Sequence, residues 1–220
     1  MAFKRHLLPD AFAEGEALTR DLVGIGFVLS SRGHRNANIE NTLVAASIEG
    51  MAGDYRTLSL LSQWLEIHLP YVNADRLVRL VSSSNDLRVR AFWSAIAQWQ
   101  VTDKRFARLI KLKSKTPVDL GSGADFQIRR HGEDERFKNT CLRVPANLLR
   151  TREGDVLSPQ ELVKRHSVYR CRVIMGPSYR ADMWASVEDN PNLKASALAR
   201  LCYGSFATAW SVIRDKKMAG

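Results

Sequence analysis

Residues 193–214 read LKASALARLCYGSFATAWSVIR, and the spacing within them decides what the C-terminal part of the chain is expected to form. A helix from about Ala195 to Cys202 turns Leu198, Leu201 and Cys202 inward, because residues three and four apart share a helix face. Ala199 stands where a second helix must cross closely, and its methyl group permits that approach. Tyr203-Gly204 supplies the turn, with glycine free to take a positive φ. Ser205 can cap a second helix whose inward positions are Ala209, Val212 and Ile213. Helix, tight turn and helix make the helix-turn-helix unit.

This stretch resembles the DNA-binding headpiece of the LacI repressor family. The family pattern is roughly hydrophobic-Ala, three residues, a Gly-Val turn, Ser, two residues, Thr-Val-Ser and an aliphatic pair. Leu198-Ala199 matches the first element, Ser205 the serine, Thr208-Ala209 the Thr-Val step and Val212-Ile213 the closing pair. The likeness covers about twenty residues and does not extend to the family's sugar-binding domain. Tyr203-Gly204 replaces Gly-Val, and Trp210 stands where a small polar residue is usual. The resemblance implies that the start of the second helix faces the major groove. Phe206 and Ala207 would then meet thymine methyls, and Ser211 a base or a phosphate. Ser205 and Thr208 would bind the DNA backbone, with Arg214, Lys216 and Lys217 supplying the phosphate attraction. The plainer alternative is a helical hairpin that packs Phe206 and Trp210 into a core.

A fainter copy precedes it by thirty-six positions, with Leu157–Lys164 aligning on Leu193–Arg200. Ser158-Pro159-Gln160-Glu161 is a capping box with proline at the first helical position. The continuation through Ile174 can form a second turn and helix with Arg170 and Arg172 exposed, giving two tandem units, and Gly176-Pro177 stops it. Ser178 to Asp189, with Met183, Trp184 and Val187 apolar, reads as the helix joining the two units.

The first half reads as mostly helical. Tyr55, Leu58, Leu61, Leu65 and Leu69 form one apolar stripe, capped by Asp54 and ended with the help of Pro70. Leu77, Val78 and Val81 continue the pattern, with Arg76 and Arg79 on other faces, and the segment Leu87 to Trp99 buries Phe92, Trp93 and Ile96. Residues 103–115 read as a basic amphipathic helix, its apolar edge made by Phe106, Leu109 and Ile110. Thr116-Pro117 and Gly121-Ser122-Gly123 are turn signals that place a boundary near residue 122. Beyond it, Cys141 to Val144 reads equally as a short strand or a loop.

The net charge of +10 over 220 residues favours an anionic partner, nucleic acid foremost. Residues 1–120 hold 16 basic and 12 acidic side chains and residues 121–220 hold 17 and 11, so charge alone does not localise a site. The three cysteines, Cys141, Cys171 and Cys202, are too far apart for a zinc set or a disulfide framework and read as buried apolar residues. No apolar run approaches a membrane span, and the basic opening has no apolar segment or cleavage site after it, so the default compartment is the cytoplasm. There is no phosphate loop with its lysine, no His-Glu-x-x-His and no Gly-x-Ser-x-Gly. His131 with Glu133, Asp134 and Glu135 is the densest titratable cluster and reads as a solvated loop.

The expectation is a mainly α protein without a cofactor or metal and without catalytic residues. Residues 1–122 form a helical bundle for a protein partner or dimerisation, and residues 123–220 a helix-turn-helix region that binds double-stranded DNA. The plan also looks like that of bacterial antitoxin-type regulators. A helical scaffold protein, and an RNA-binding accessory protein served by the basic run at 103–115, are the alternatives.

Overall fold

The segment IENTLVAASIEGMA buries ten of its fourteen residues, on every side, so the helix it forms must lie inside the molecule. In the computed structural model, which describes residues 8–219, this is α2 (Ile39–Ala52), and α1 (Gly15–Gly24), α3 (Tyr55–His68), α4 (Ala74–Ser83) and α5 (Leu87–Trp99) surround it. The basic opening at Lys4, Arg5 and His6 lies outside the described residues. Asn38, Asp54, Asn73 and Asp86 cap α2 to α5 in turn, each accepting a backbone N–H of the first turn. Gly50 lets α2 approach α3 closely: a Cβ there would stand 2.8 Å from Leu58.

The chain continues through α6 (Ala107–Ile110), α7 (Ala124–His131), α8 (Pro159–Arg165), α9 (Ser167–Met175), α10 (Tyr179–Asp189), α11 (Ala195–Leu201) and α12 (Phe206–Ala219). Two strands of two residues each, β1 (Val118–Asp119) and β2 (Leu142–Arg143), pair in parallel, Val118 opposite Leu142. The architecture is therefore mainly α, and Cys141–Val144 is a strand in its middle two residues.

The apolar core does not break near residue 122. Leu120, Phe137, Leu142, Val144, Leu149 and Leu162 belong to the same core as Leu18, Leu43, Trp64 and Trp93. The Pro and Gly signals at 116–123 turn the chain locally while Leu120 and Phe137 are driven into the bundle. The segment 155–157 returns to the N-terminal part, where Val28 N–H donates to the Asp155 carbonyl (2.9 Å) and Leu157 N–H to that of Gly26 (2.8 Å). A second, smaller core joins α10, α11 and α12 through Met183, Val187, Leu198, Ala199, Cys202, Ala209 and Val212.

The basic run at 103–115 is not one helix. A 3-10 turn at Lys104–Phe106 leads into the single turn of α6, and Lys111, Lys113 and Lys115 follow it outside any helix. Its apolar edge is real: Phe106 and Leu109 are buried, and Arg105 is bonded to Asp103 and to the carbonyls of Leu69 and Val72. Three anchored positions hold the segment against the bundle and leave no length for a helix along a phosphate backbone.

Candidate nucleic-acid interface

α11 and α12 form a hairpin joined by Cys202–Ser205 and seated on α10. Leu198, Ala199, Cys202, Ala209 and Val212 are buried and Ile213 is half-buried, as their spacing requires. Leu201 is not; it is 56% exposed. Leu198, Ala199 and Cys202 define the inner face of α11, and at 100° per residue Leu201 stands roughly a quarter-turn from its centre.

The turn also differs from expectation. Tyr203, not Gly204, holds the left-handed backbone, with φ 56°. Gly204 is needed for space instead, because a Cβ there would lie 2.2 Å from the Met183 methyl. Two residues of the N-terminal bundle hold Tyr203: the Arg76 guanidinium lies 3.6 Å from the centre of its ring, and Asn41 Nδ2 donates to its hydroxyl at 3.3 Å. Arg76 is thus buried, not on an outer face. Ser205 caps α12 by accepting the Thr208 N–H at 3.0 Å.

The outer edge of α12 faces water. Phe206 is 45% and Trp210 53% exposed, Ala207 is exposed, and Ser205, Thr208 and Ser211 are half-buried. The Ser205 and Thr208 hydroxyls bond each other at 2.7 Å, and the Ser211 hydroxyl donates to Asp215 at 3.2 Å. Arg214 lies over the Trp210 ring at 5.3 Å and pairs with Asp215, which also holds Arg180. Lys216 and Arg170 share Glu188 at 3.1 and 2.9 Å. Hydrogen bonds from Arg214 and Arg180 hold the Asp215 carboxyl below its ordinary range. Burial pushes Glu188 up, but Lys216 and Arg170 outweigh it and its net shift is also down. Lys194, Arg200 and Lys217 are exposed and enter no ion pair among the described residues.

Arg172 does not belong to this surface. It is 1% exposed, and all five of its N–H groups are committed. Two go to Glu40 (2.6 and 2.9 Å), two to Asp182 (2.7 and 2.9 Å) and one to the Tyr71 carbonyl (3.2 Å). Burial raises the Glu40 carboxyl, yet Arg172 on both its oxygens, aided by Arg76, brings it below its ordinary value. Burial likewise raises Asp182, and there Arg172 offsets only part of the rise. The 158–175 segment is correspondingly not a second exposed reading unit. The capping box of Ser158 and Glu161 is present, but a single residue, His166, separates α8 from α9. His166 caps α9 through Nδ1, donates to the Ala37 carbonyl through Nε2 at 3.0 Å, and fixes the pair of helices against the bundle.

No family model, curated protein or solved structure matches this chain. Among the described residues no helix is long and apolar enough to cross a membrane, and no three His, Cys, Asp or Glu side chains gather as a metal set. Cys171 and Cys202 are buried and Cys141 is partly buried. The residues that sequence reasoning missed are Glu40, Arg76 and Asp182, which join the hairpin's support to the bundle. Glu40 and Arg172 are 132 positions apart, and no local pattern announces such a pair.

Proposed function

We propose that this chain is a DNA-binding protein of the transcription-regulator kind, which docks the α11–α12 hairpin in the major groove of duplex DNA and uses the N-terminal bundle for a protein partner or dimerisation. The observation that carries this reading is the outward edge of α12. Phe206, Ala207 and Trp210 are exposed near the start of a capped helix, with Arg214 and Lys217 further along, Arg200 on the helix before it and Lys194 at that helix's N-cap. Exposed aromatic side chains beside cations suit a partner that offers both base surfaces and phosphates. The spacing shared with the LacI headpiece at Leu198-Ala199, Ser205, Thr208-Ala209 and Val212-Ile213 adds to it. The same edge, reading mostly through apolar contacts, favours methyl and shape recognition over hydrogen-bonded readout.

A second reading, a helical interaction protein, draws on the ion pairs. Asp215 and Glu188 pair with Arg214, Lys216 and Arg170, three of the cations expected to meet phosphates. One titration separates the two. Binding is measured at two salt concentrations with random duplex, single-stranded RNA and the DNA upstream of the chain's own coding sequence. Under the first reading duplex binds with a steep salt slope, and Lys217→Ala lowers that slope by about one. Trp210→Ala leaves stability within about 0.5 kcal/mol, as for other exposed positions, and weakens duplex binding. Absence of binding to all three nucleic acids selects the interaction protein.

A further inference from the structure

A cavity of about 440 Å³ opens where the start of α3, the Gly121 turn with α7 behind it, and the loop 145–150 come together. Gln127 and His131 line it from α7, one helical turn apart. Tyr55, the first residue of α3, and Ser122, Asn147 and Arg150 from the loops complete its polar lining. Leu120, Pro145 and Leu148 give it apolar walls. Gly121 has φ 87°, and a Cβ there would stand 3.6 Å from the Leu148 side chain and 3.7 Å from the Tyr55 hydroxyl, so both groups border the turn.

No carboxylate lines this cavity, and Arg150 enters no ion pair among the described residues. Its Nε donates to the Asn147 carbonyl at 3.0 Å, and both terminal nitrogens are left unbonded. The carboxylates on the same elements are engaged elsewhere. Asp119 and Asp125 pair with Arg143, Asp134 pairs with Arg136, the charge of Glu133 acts on Arg143, and Asp54 caps α3. The hydroxyls of Tyr55 and Ser122, the amides of Gln127 and Asn147 and the His131 ring also meet no hydrogen-bond partner among the described residues. Six polar side chains thus converge on one space with hydrogen-bonding groups unused, and the one fixed charge among them is positive. A guanidinium fork matches phosphate or carboxylate oxygens in pairs. A phosphate monoester offers three terminal oxygens to the remaining donors, where a carboxylate offers two.

We propose that this cavity binds a small phosphate monoester carrying a ring, with the phosphate on the Arg150 guanidinium and its neighbouring donors and the ring against Leu120 and Leu148. A phosphate fills only a small part of the space, and the apolar walls beside the donors leave room for an organic group of ring size. The site is built from α3, α7 and the loops beside them, so it does not depend on what α12 binds.

The test is calorimetric titration of the full chain, at physiological salt, with phenyl phosphate, inorganic phosphate, benzoate and phenol. The expected result is saturable one-site binding of phenyl phosphate, with each of the other three weaker by about tenfold or more. Arg150→Ala removes the fork and is expected to weaken phenyl phosphate by about tenfold or more. Gln127→Glu, at an exposed position of α7, puts a carboxylate in the lining and is expected to do the same with an unchanged circular dichroism spectrum. Lys113→Ala, which removes an exposed cation outside the cavity, is expected to leave the affinity unchanged. No saturable heat with phenyl phosphate, benzoate or inorganic phosphate binding as tightly, unchanged affinity in the Gln127→Glu protein, or an equal loss in the Lys113→Ala protein would overturn the proposal. Should Arg150→Ala fail to fold, the Gln127→Glu and benzoate results decide alone.

Discussion

Arg172 illustrates how one side chain can carry a joint between elements. Its guanidinium takes Glu40 from α2 and Asp182 from α10, so three helices meet on one charge with nothing left unbonded. Such a group costs much to desolvate, and what keeps it in place is completeness: removing either partner strands the other in the interior. Arg172→Ala leaves two buried carboxylates without their cation, and unfolding in urea is expected to show a loss of about 3–5 kcal/mol. An unchanged urea midpoint would mean that water already reaches Glu40 and Asp182. Tyr203 is the matching residue on the hairpin. Its left-handed backbone is unfavourable for an aromatic residue, and the Arg76 stack and the Asn41 hydrogen bond hold it there.

At the scale of elements, the hairpin depends on close contact with α10. Gly204 meets Met183, a fully buried side chain whose methyl occupies the place a Cβ would take. Gly204→Ala is expected to destabilise the chain by about 1 kcal/mol, because the overlapping atom is the end of a flexible side chain that must turn aside within a packed core. Met183→Leu withdraws the terminal methyl, so the double variant should recover part of that loss; strictly additive effects in a double-mutant cycle would show that the overlap is not the cause. The elements that the sequence made legible are those whose signals are local. The stripe at Leu58, Leu61 and Leu65 with its Asp54 cap, the Leu87–Trp99 helix, the capping box at Ser158 and the helix after Ser178 all form as the spacing predicts. α2 gave no such signal, because a helix buried on every side has no polar face and hence no period to read. Arg172 and Arg76 read as exposed for a related reason: a cation's burial is decided by partners remote in the chain. The hairpin was legible down to its buried positions, except at Leu201 and in which turn residue goes left-handed.

At the scale of the whole molecule, two histidines among the described residues are buried inside the main framework, and they contribute to its response to acid. His68 sits between the Tyr169 hydroxyl (2.7 Å) and the Leu157 carbonyl (3.0 Å), and His166 between the Ala37 carbonyl (3.0 Å) and the α9 backbone (3.2 Å). Burial pushes both down to about 4 from the ordinary 6.5. Between those values the folded chain holds fewer protons at these sites than the unfolded chain does. Stability from them therefore rises with pH across the window, is complete above it, and is lost as pH falls toward 4. The size is on the order of 3 kcal/mol per histidine over the full window. Asp182 works the other way, since burial lets it keep its proton to higher pH in the fold, while Glu40 adds to acid lability below its ordinary value of 4.5. Urea unfolding at pH 7 and pH 5 should give a clearly lower midpoint at pH 5. His166→Asn separates its histidine from the rest, because asparagine can still cap α9 but does not titrate. The difference between the two pH values should shrink in that variant, whatever its absolute stability. A difference equal to that of the parent chain would show that His166 is protonated in the fold and that the acid response has another source.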